Sequence, residues 1–247
     1  NLSTLRSAIC AVLPCAVVAY PEWMAWHLLH PLPIPPPGPP LADNAYEDLV
    51  AFGRRIEYTA VVREWEANPV DYKQLALAVA GAAEDYDMLH VVLQRPCRVP
   101  VDYSSPLAMD NVCSMRTIAR FLDGKADSAR RANDIYDSYA ATCDGIQLGA
   151  CVESGGLPVH WLMAIACRGV AEQNLYQLIG RLSSSQVFQA RELLQEVESS
   201  RQEFDRTIER ERIWAENAEG WGRHLIRITQ RLANRLDSSF TRIWHKE

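Results

Sequence analysis

The apolar positions of this chain form one long block followed by a series of interrupted stripes. Residues 8–29 read AICAVLPCAVVAYPEWMAWHLL, broken only by Pro14, Pro21, Glu22 and His27. A bilayer core takes about 20 such residues. Trp23, Trp26 and His27 fall late in the block, where interface side chains belong. Arg6 precedes the block and Arg54 is the next cation, so the positive-inside rule puts the start of the chain in the cytoplasm and the rest outside. The block predicts an anchor or signal-anchor helix over 1–30, with the membrane as partner of residues 8–29. The alternatives are a helix packed on its own protein or on a neighbouring subunit, and a cleavable signal peptide. No A-x-A cleavage site follows the block, which weighs against cleavage.

Seven of the eleven residues from His30 to Pro40 are proline. Proline fixes φ and donates no backbone N–H, so this run favours polyproline II. Residues 31–42 are therefore read as a stiff spacer. From residue 43 to 247 the spacing of apolar residues changes to three and four, the period of a helix. Asn44-x-x-Glu47 predicts a capping box opening a helix that runs to Glu66. Asn68-Pro69, with Asp71 in the first turn, predicts a second helix to Gln94. The stretch from Arg95 to Pro106 holds three prolines and predicts an irregular loop. Helices follow over Pro106–Asp123, stopped by Gly124, and over Ala126–Leu148.

Ser154-Gly155-Gly156 breaks the chain again, and Pro158 suits the first turn of a helix reaching Leu182. Its Leu162, Ile165, Ala166, Val170, Leu175 and Ile179 mark it as the central helix. Ser183-x-x-Gln186 predicts another capping box before a long charged helix or helix pair to Glu219. Trp221, Leu225, Ile228, Leu232, Leu236, Phe240 and Ile243 define a last amphipathic helix. No segment alternates with period two between hairpin turns. The predicted fold class is all-α: an irregular αα-hairpin bundle or short tetratricopeptide-like solenoid of about seven helices, behind an N-terminal apolar helix. No 34-residue repeat supports the solenoid form in full.

Composition adds little to this picture. The 247 residues are 48% hydrophobic and 23% charged, ordinary globular proportions. The net charge of -6 argues against nucleic acid as a partner. The seven cysteines (10, 15, 97, 113, 143, 151 and 167) contain no C-x-x-C pair. Their odd number argues against a complete disulfide framework. Cys143 and Cys151 on one helix would stand about 12 Å apart, too far to bridge. Buried small hydrophobes are the simplest role for these cysteines, with one incidental disulfide as the alternative.

The chain has no GxGxxG, GxxxxGK[ST] or G-x-S-x-G sequence. Glu84, Asp87 and His90 share one helix, and Asp87-x-x-His90 has the form of half a di-iron pattern. There is no second [DE]-x-x-H to complete it, so no metal or cofactor is expected. His160 beside Trp161 at a helix start would act as a base only with Cys143, Cys151 or Cys167 close in space. No catalytic residue is assigned.

The charges separate near the end of the chain. Residues 183–219 carry nine acids against five arginines, a net of -4. Residues 220–247 carry Arg223, Arg227, Arg231, Arg235, Arg242 and Lys246 against Asp237 and Glu247, a net of +4. The first four arginines recur every four residues and form one stripe. Antiparallel packing on the acidic helix explains the stripe most simply. A weaker reading makes Arg223, Arg227, Arg231 and Arg235, with Trp221 and Trp244, a surface for an unidentified protein partner.

Three stretches together carry a resemblance: PPPGPPLADNAYEDLVAFGRRI (35–56), MRTIARFLDGKADSARRA (115–132) and GLPVHWLMAIACRGVAEQNLYQLIGRLS (156–183). They cover 68 of the 247 residues, and they resemble a group of planctomycete-type bacterial proteins built from a membrane anchor, a proline-rich spacer and an all-helical body. The resemblance implies the anchor and the helical fold and carries no catalytic residue. The expected function is a non-catalytic, envelope-anchored scaffold or interaction subunit, its body on the non-cytoplasmic side. Its binding surface would be the C-terminal amphipathic helix or the 96–106 loop. Two other readings stand beside it: an enzyme without a recognisable signature, and a regulatory module that binds an anionic partner through the arginine stripe.

Overall fold

The computed structural model describes residues 33–34, 41–103, 110–201 and 204–218. The apolar block 8–29, nearly all of the spacer 31–42 and the stripe helix around 221–243 lie outside the described residues. Among the described residues there are nine α-helices and no strand, which is the predicted all-α class. They are α1 Tyr46–Ile56, α2 Ala60–Glu66, α3 Tyr72–Gly81, α4 Ala83–Leu93, α5 Asp110–Arg131, α6 Ile135–Glu153, α7 Pro158–Leu178, α8 Ser184–Ser200 and α9 Phe204–Ala218. A 3-10 turn, Ile179–Arg181, follows α7. None of these helices is long and apolar enough to cross a membrane.

Residues 37–102 and 107–211 form one compact unit. The remaining described residues, 33–34, 103 and 212–218, belong to a second unit, in which Ile213, Trp214 and Ala215 are buried. In the first unit α6 packs on α5 and α7, and these three helices hold the others. α1, α2 and α3 lie on α5, α4 lies on α1 and α6, and α8 lies on α6.

The apolar stripes explain the packing. Leu49, Val50, Phe52 and Ile56 of α1 turn one face inward onto Met115, Ile118, Phe121 and Leu122 of α5. Phe52 meets Phe121 edge-to-face at 6.1 Å between ring centres, a favoured aromatic geometry. A smaller cluster joins Tyr139 and Ile146 of α6, Ala171, Leu175 and Leu178 of α7, and Ala190 and Val197 of α8. Gly145 and Gly149 let α6 and α7 approach closely. A methyl on Gly149 would meet the Arg168 side chain at 2.3 Å, and one on Gly145 would meet Ala171 Cβ at 2.9 Å.

Four predicted boundaries move. The helix expected over 44–66 is two helices, because Thr59 takes an extended conformation and its hydroxyl donates to Ile56 O at 2.8 Å. The expected capping box at Asn44 is absent. Asn44 Oδ1 instead accepts from the Tyr46 and Arg98 amides. The helix expected from Asn68-Pro69 starts at Tyr72, where Asp71 caps the Lys73 and Gln74 amides. That helix also breaks at Ala82, just after Gly81, so that Leu75 of α3 and Leu89 and Leu93 of α4 all reach one core.

Gly124 does not stop α5, which continues to Arg131. Gly124 lies inside the helix where α2 crosses, and an added methyl would make an ordinary contact with Trp65 Cβ at 3.4 Å. The turn comes later, at Asn133, whose positive φ of 66° suits a short amide side chain. Asp134 then caps α6 by accepting from the Asp137 amide at 3.0 Å. The capping box at Ser183 and Gln186 forms as the spacing predicts, with Gln186 N donating to Ser183 Oγ at 3.3 Å and Ser183 N to Gln186 Oε1 at 3.0 Å.

The largest correction concerns α7, expected to be central with its long aliphatic residues inward. Its buried face is His160, Ala164, Cys167, Arg168, Ala171, Leu175 and Leu178. Leu162, Ile165, Ala166, Val170 and Tyr176 are exposed instead. The reason is steric: α6 brings Gly145 and Gly149 to this seam, where they make room for Ala171, the Ala164 carbonyl and the Arg168 stem.

Candidate functional site

Asp123, half-buried, and Asp144 and His160, both buried, each join elements distant in sequence. Asp123 of α5 accepts from Trp65 Nε1 at 3.1 Å and from Asn174 Nδ2 at 2.8 Å, tying α2 and α7 to α5. Burial pushes the Asp123 carboxyl up, against the pull of these two donors. Asp144 of α6 accepts from Tyr86 Oη at 2.8 Å and from His90 Nδ1 at 2.9 Å, tying α4 to α6. Desolvation raises its carboxyl, and hydrogen bonds from His90 and Tyr86 work the other way.

The third group is His160, 1% exposed at the start of α7. Its Nδ1 accepts from the Leu157 amide at 3.2 Å. That bond leaves the ring proton on Nε2, which faces Tyr46 Oη at 3.4 Å. Desolvation lowers its pKa to about 4, so the buried imidazole is neutral. Both ring nitrogens are engaged, and the histidine serves as a brace between α1 and α7. The His160–cysteine pairing that general-base chemistry would need is therefore not what the geometry provides.

The Glu84, Asp87 and His90 trio also fails to converge. Glu84 and Asp87 are exposed while His90 Nδ1 turns to Asp144. Among the described residues no group of three or more His, Cys, Asp or Glu is placed to hold a metal ion. Arg223, Arg227, Arg231, Arg235, Trp221 and Trp244 lie outside the described residues.

Two recesses remain, each about 340 Å³. The first is polar and lies among Arg95, Cys97, Cys151, Glu153, Arg168 and Arg201. Glu153 and Arg168 are 4% and 9% exposed and meet at 2.9 Å. The contact is off the hydrogen-bond direction, so both Glu153 oxygens lack a hydrogen-bond partner. Arg201 Nε adds a second cation at 3.8 Å. Glu153 ends α6, where the helix dipole opposes a carboxylate, so these arginines are what keep its charge tolerable.

The loop over 95–103, expected as a free binding loop, is held at the edge of this recess. Val99 N donates to Ser154 O at 2.8 Å, Ala45 N donates to Pro96 O at 3.0 Å, and Asn44 Nδ2 donates to Arg98 O at 2.8 Å. Arg95 donates to both Asp43 and Asp48. The signals for this recess were faint: one glutamate and one arginine inside otherwise apolar runs, GACVES and AIACRGV.

The second recess is apolar and open. It runs between the end of α7 and α8, lined by Leu175, Ile179, Leu182, Val187, Ala190 and Leu194. It continues the outward stripe of α7, where Leu162 is 60% and Tyr176 79% exposed. Phe188 stands exposed beside it. Glu172, Glu192, Glu196 and Glu198 are exposed on the same two helices. No protein-family model, curated protein or solved structure matches this chain.

Proposed function

We propose that this protein is a non-catalytic helical interaction subunit whose outward α7 stripe and α7–α8 groove dock an amphipathic helix of a partner protein. The observation that carries the reading is that α7 is apolar on two opposite faces, one buried and one exposed. A helix hydrophobic all round belongs to the interior of something larger. Helix-in-groove docking needs apolar anchors at i, i+3, i+4 and i+7, and the groove offers a complementary recess. On α7 and α8 the exposed Glu172, Glu192 and Glu198 outnumber Arg191, which lines the groove with Glu198, and they favour a partner helix with basic flanks. The same acids would repel an anionic bilayer or a second copy of this surface.

The envelope location belongs to the same proposal and rests on residues 8–29 with Arg6 on their cytoplasmic side. The test is the native particle mass of the full-length protein, extracted gently from its own membranes, beside the double variant Leu162→Glu with Ile165→Glu. A large particle of fixed stoichiometry, lost in the variant while its helical circular dichroism persists, is the expected result. A lone protein–detergent particle for the native chain, or an unchanged complex for the variant, overturns the reading. Pelleting with membranes after deletion of residues 8–29, in the absence of partners, overturns the anchor.

A further inference from the structure

Cys97 and Cys151 lie 54 positions apart in the chain and side by side in the fold. Cys97 Sγ donates to the Cys151 backbone carbonyl at 3.5 Å, which brings the Cys97 thiol to the residue that carries the second one. Both line the polar recess, which gives a small molecule a way in. Cys97 is half-buried and Cys151 is buried, so Cys97 is the thiol that a reagent meets first. The loop carrying Cys97 is fixed on both sides, by Ala45 N to Pro96 O and by Val99 N to Ser154 O. The α6 residue Cys151 is fixed by its helix. Two thiols held this way pay little further ordering entropy on joining.

We propose that Cys97 and Cys151 form a redox-active dithiol that closes to a disulfide by exchange with a low-molecular-weight disulfide of the glutathione type. The step balances as an exchange. Cys97 thiolate attacks one sulfur of the small disulfide, forms a mixed disulfide and expels one thiolate. Cys151 thiolate then attacks Cys97 Sγ and expels the second. Two protein thiols lose two electrons, the small disulfide gains them, and the two protons pass to the departing thiolates. The Cys97 thiol is stored protonated, because its contact with Cys151 and its burial push it up. Exchange is therefore slow at neutral pH and faster as pH rises. Closure links the 95–103 loop to the end of α6, next to Glu153 and Arg168, and constrains the unfolded chain. The pair itself does not depend on the docking reading. Only the expectation that it is closed in cells rests on the non-cytoplasmic placement of the body.

The test equilibrates the reduced full-length protein with mixtures of oxidised and reduced glutathione, then alkylates and maps every cysteine. The expected result is coordinate loss of alkylation at Cys97 and Cys151, with a linked peptide pair joining them. Oxidation should raise the melting temperature by roughly 5–10 °C. Cys97→Ser should abolish the link and the thermal shift while Cys143→Ser keeps both. Should Cys97→Ser fail to fold, the linked peptide of the native chain decides alone. Full alkylation of both cysteines at every ratio, or links to Cys143 or Cys167 instead, overturns the proposal. A pair that closes in vitro but stays fully reduced in protein taken from its own cells supports the dithiol and overturns only its closure there.

Discussion

The two faces of α7 have nearly opposite chemistry from what their exposure would suggest. The inward face holds His160, Arg168 and three small residues, Ala164, Cys167 and Ala171, before Leu175 and Leu178 appear. The outward face holds Leu162, Ile165, Val170 and Tyr176. Hydrophobicity alone would turn this helix over. Backbone approach decides otherwise: Gly145 makes room for Ala171, and Gly149 for the Ala164 carbonyl and the Arg168 stem, so these residues turn inward. The polar residues then come inward with partners. His160 bonds to the Leu157 amide and Tyr46, and Arg168 meets Glu153. The inward face is thus held by close approach and a few partnered polar groups. The outward face offers apolar area that this unit leaves uncovered. Inside, specificity comes from fit, and outside, the residues suit a partner.

The contrast breaks most readily at Arg168. Arg168→Met removes the partner of a carboxylate that is 4% exposed and has no hydrogen bond of its own. Removing one side of a buried pair costs about 3–5 kcal/mol. Urea unfolding followed by circular dichroism should show a loss of that size. Adding Glu153→Leu removes the stranded charge with its partner, so the double variant should recover most of the loss. A single variant as stable as the native chain would mean that Arg201, 3.8 Å from Glu153, carries the site alone.

His160 gives the next effect, and it appears as a dependence on pH. The unfolded histidine takes its proton near pH 6.5, and the folded one only near 4. Between these values the unfolded chain binds more protons, so stability rises with pH through this window and is complete above it. The shift corresponds to about 3 kcal/mol lost on acidification from pH 6.5 to 4. His160→Gln keeps a polar group but cannot titrate, so its stability should be flatter across the same window. Parallel curves for the two proteins would assign the acid sensitivity to groups other than His160; Asp144 and Asp123, whose carboxyls burial raises, work in the opposite direction.

These effects mark what the sequence made legible. The all-α class, the cap at Ser183 and the break before Pro158 follow from local rules, because caps and turns act within a few residues. Gly124 was misread by the same rules. It sits inside α5 facing Trp65, 59 positions away, and a glycine inside a helix is indistinguishable in one sequence from a glycine that ends one. The orientation of α7 failed for a related reason. Its two faces are both apolar enough to be core, and only the glycines on α6 choose between them. The Glu153–Arg168 pair and the Cys97–Cys151 contact arise from segments brought together by the fold, and spacing along the chain carries no trace of them.

The sharpest test of that choice compares two substitutions two residues apart on α7. Ala164 is fully buried, and its carbonyl lies 3.1 Å from where a methyl on Gly149 would sit. Ala164→Leu drives a large side chain into this seam and should cost about 1–3 kcal/mol. Leu162→Ser removes a leucine that is 60% exposed and should change the unfolding free energy of the isolated chain by less than about 0.5 kcal/mol. Both are measured on the same protein by urea unfolding. If Leu162→Ser proves costly while Ala164→Leu is tolerated, the hydrophobic pattern has oriented the helix after all, and the outward face is core. If the order is as expected, adding the native partner should reverse the ranking for binding: Leu162→Ser then weakens the complex, and a stable repacked variant at Ala164 does not. A side chain that is silent for folding and costly for assembly is what distinguishes an interface from a surface.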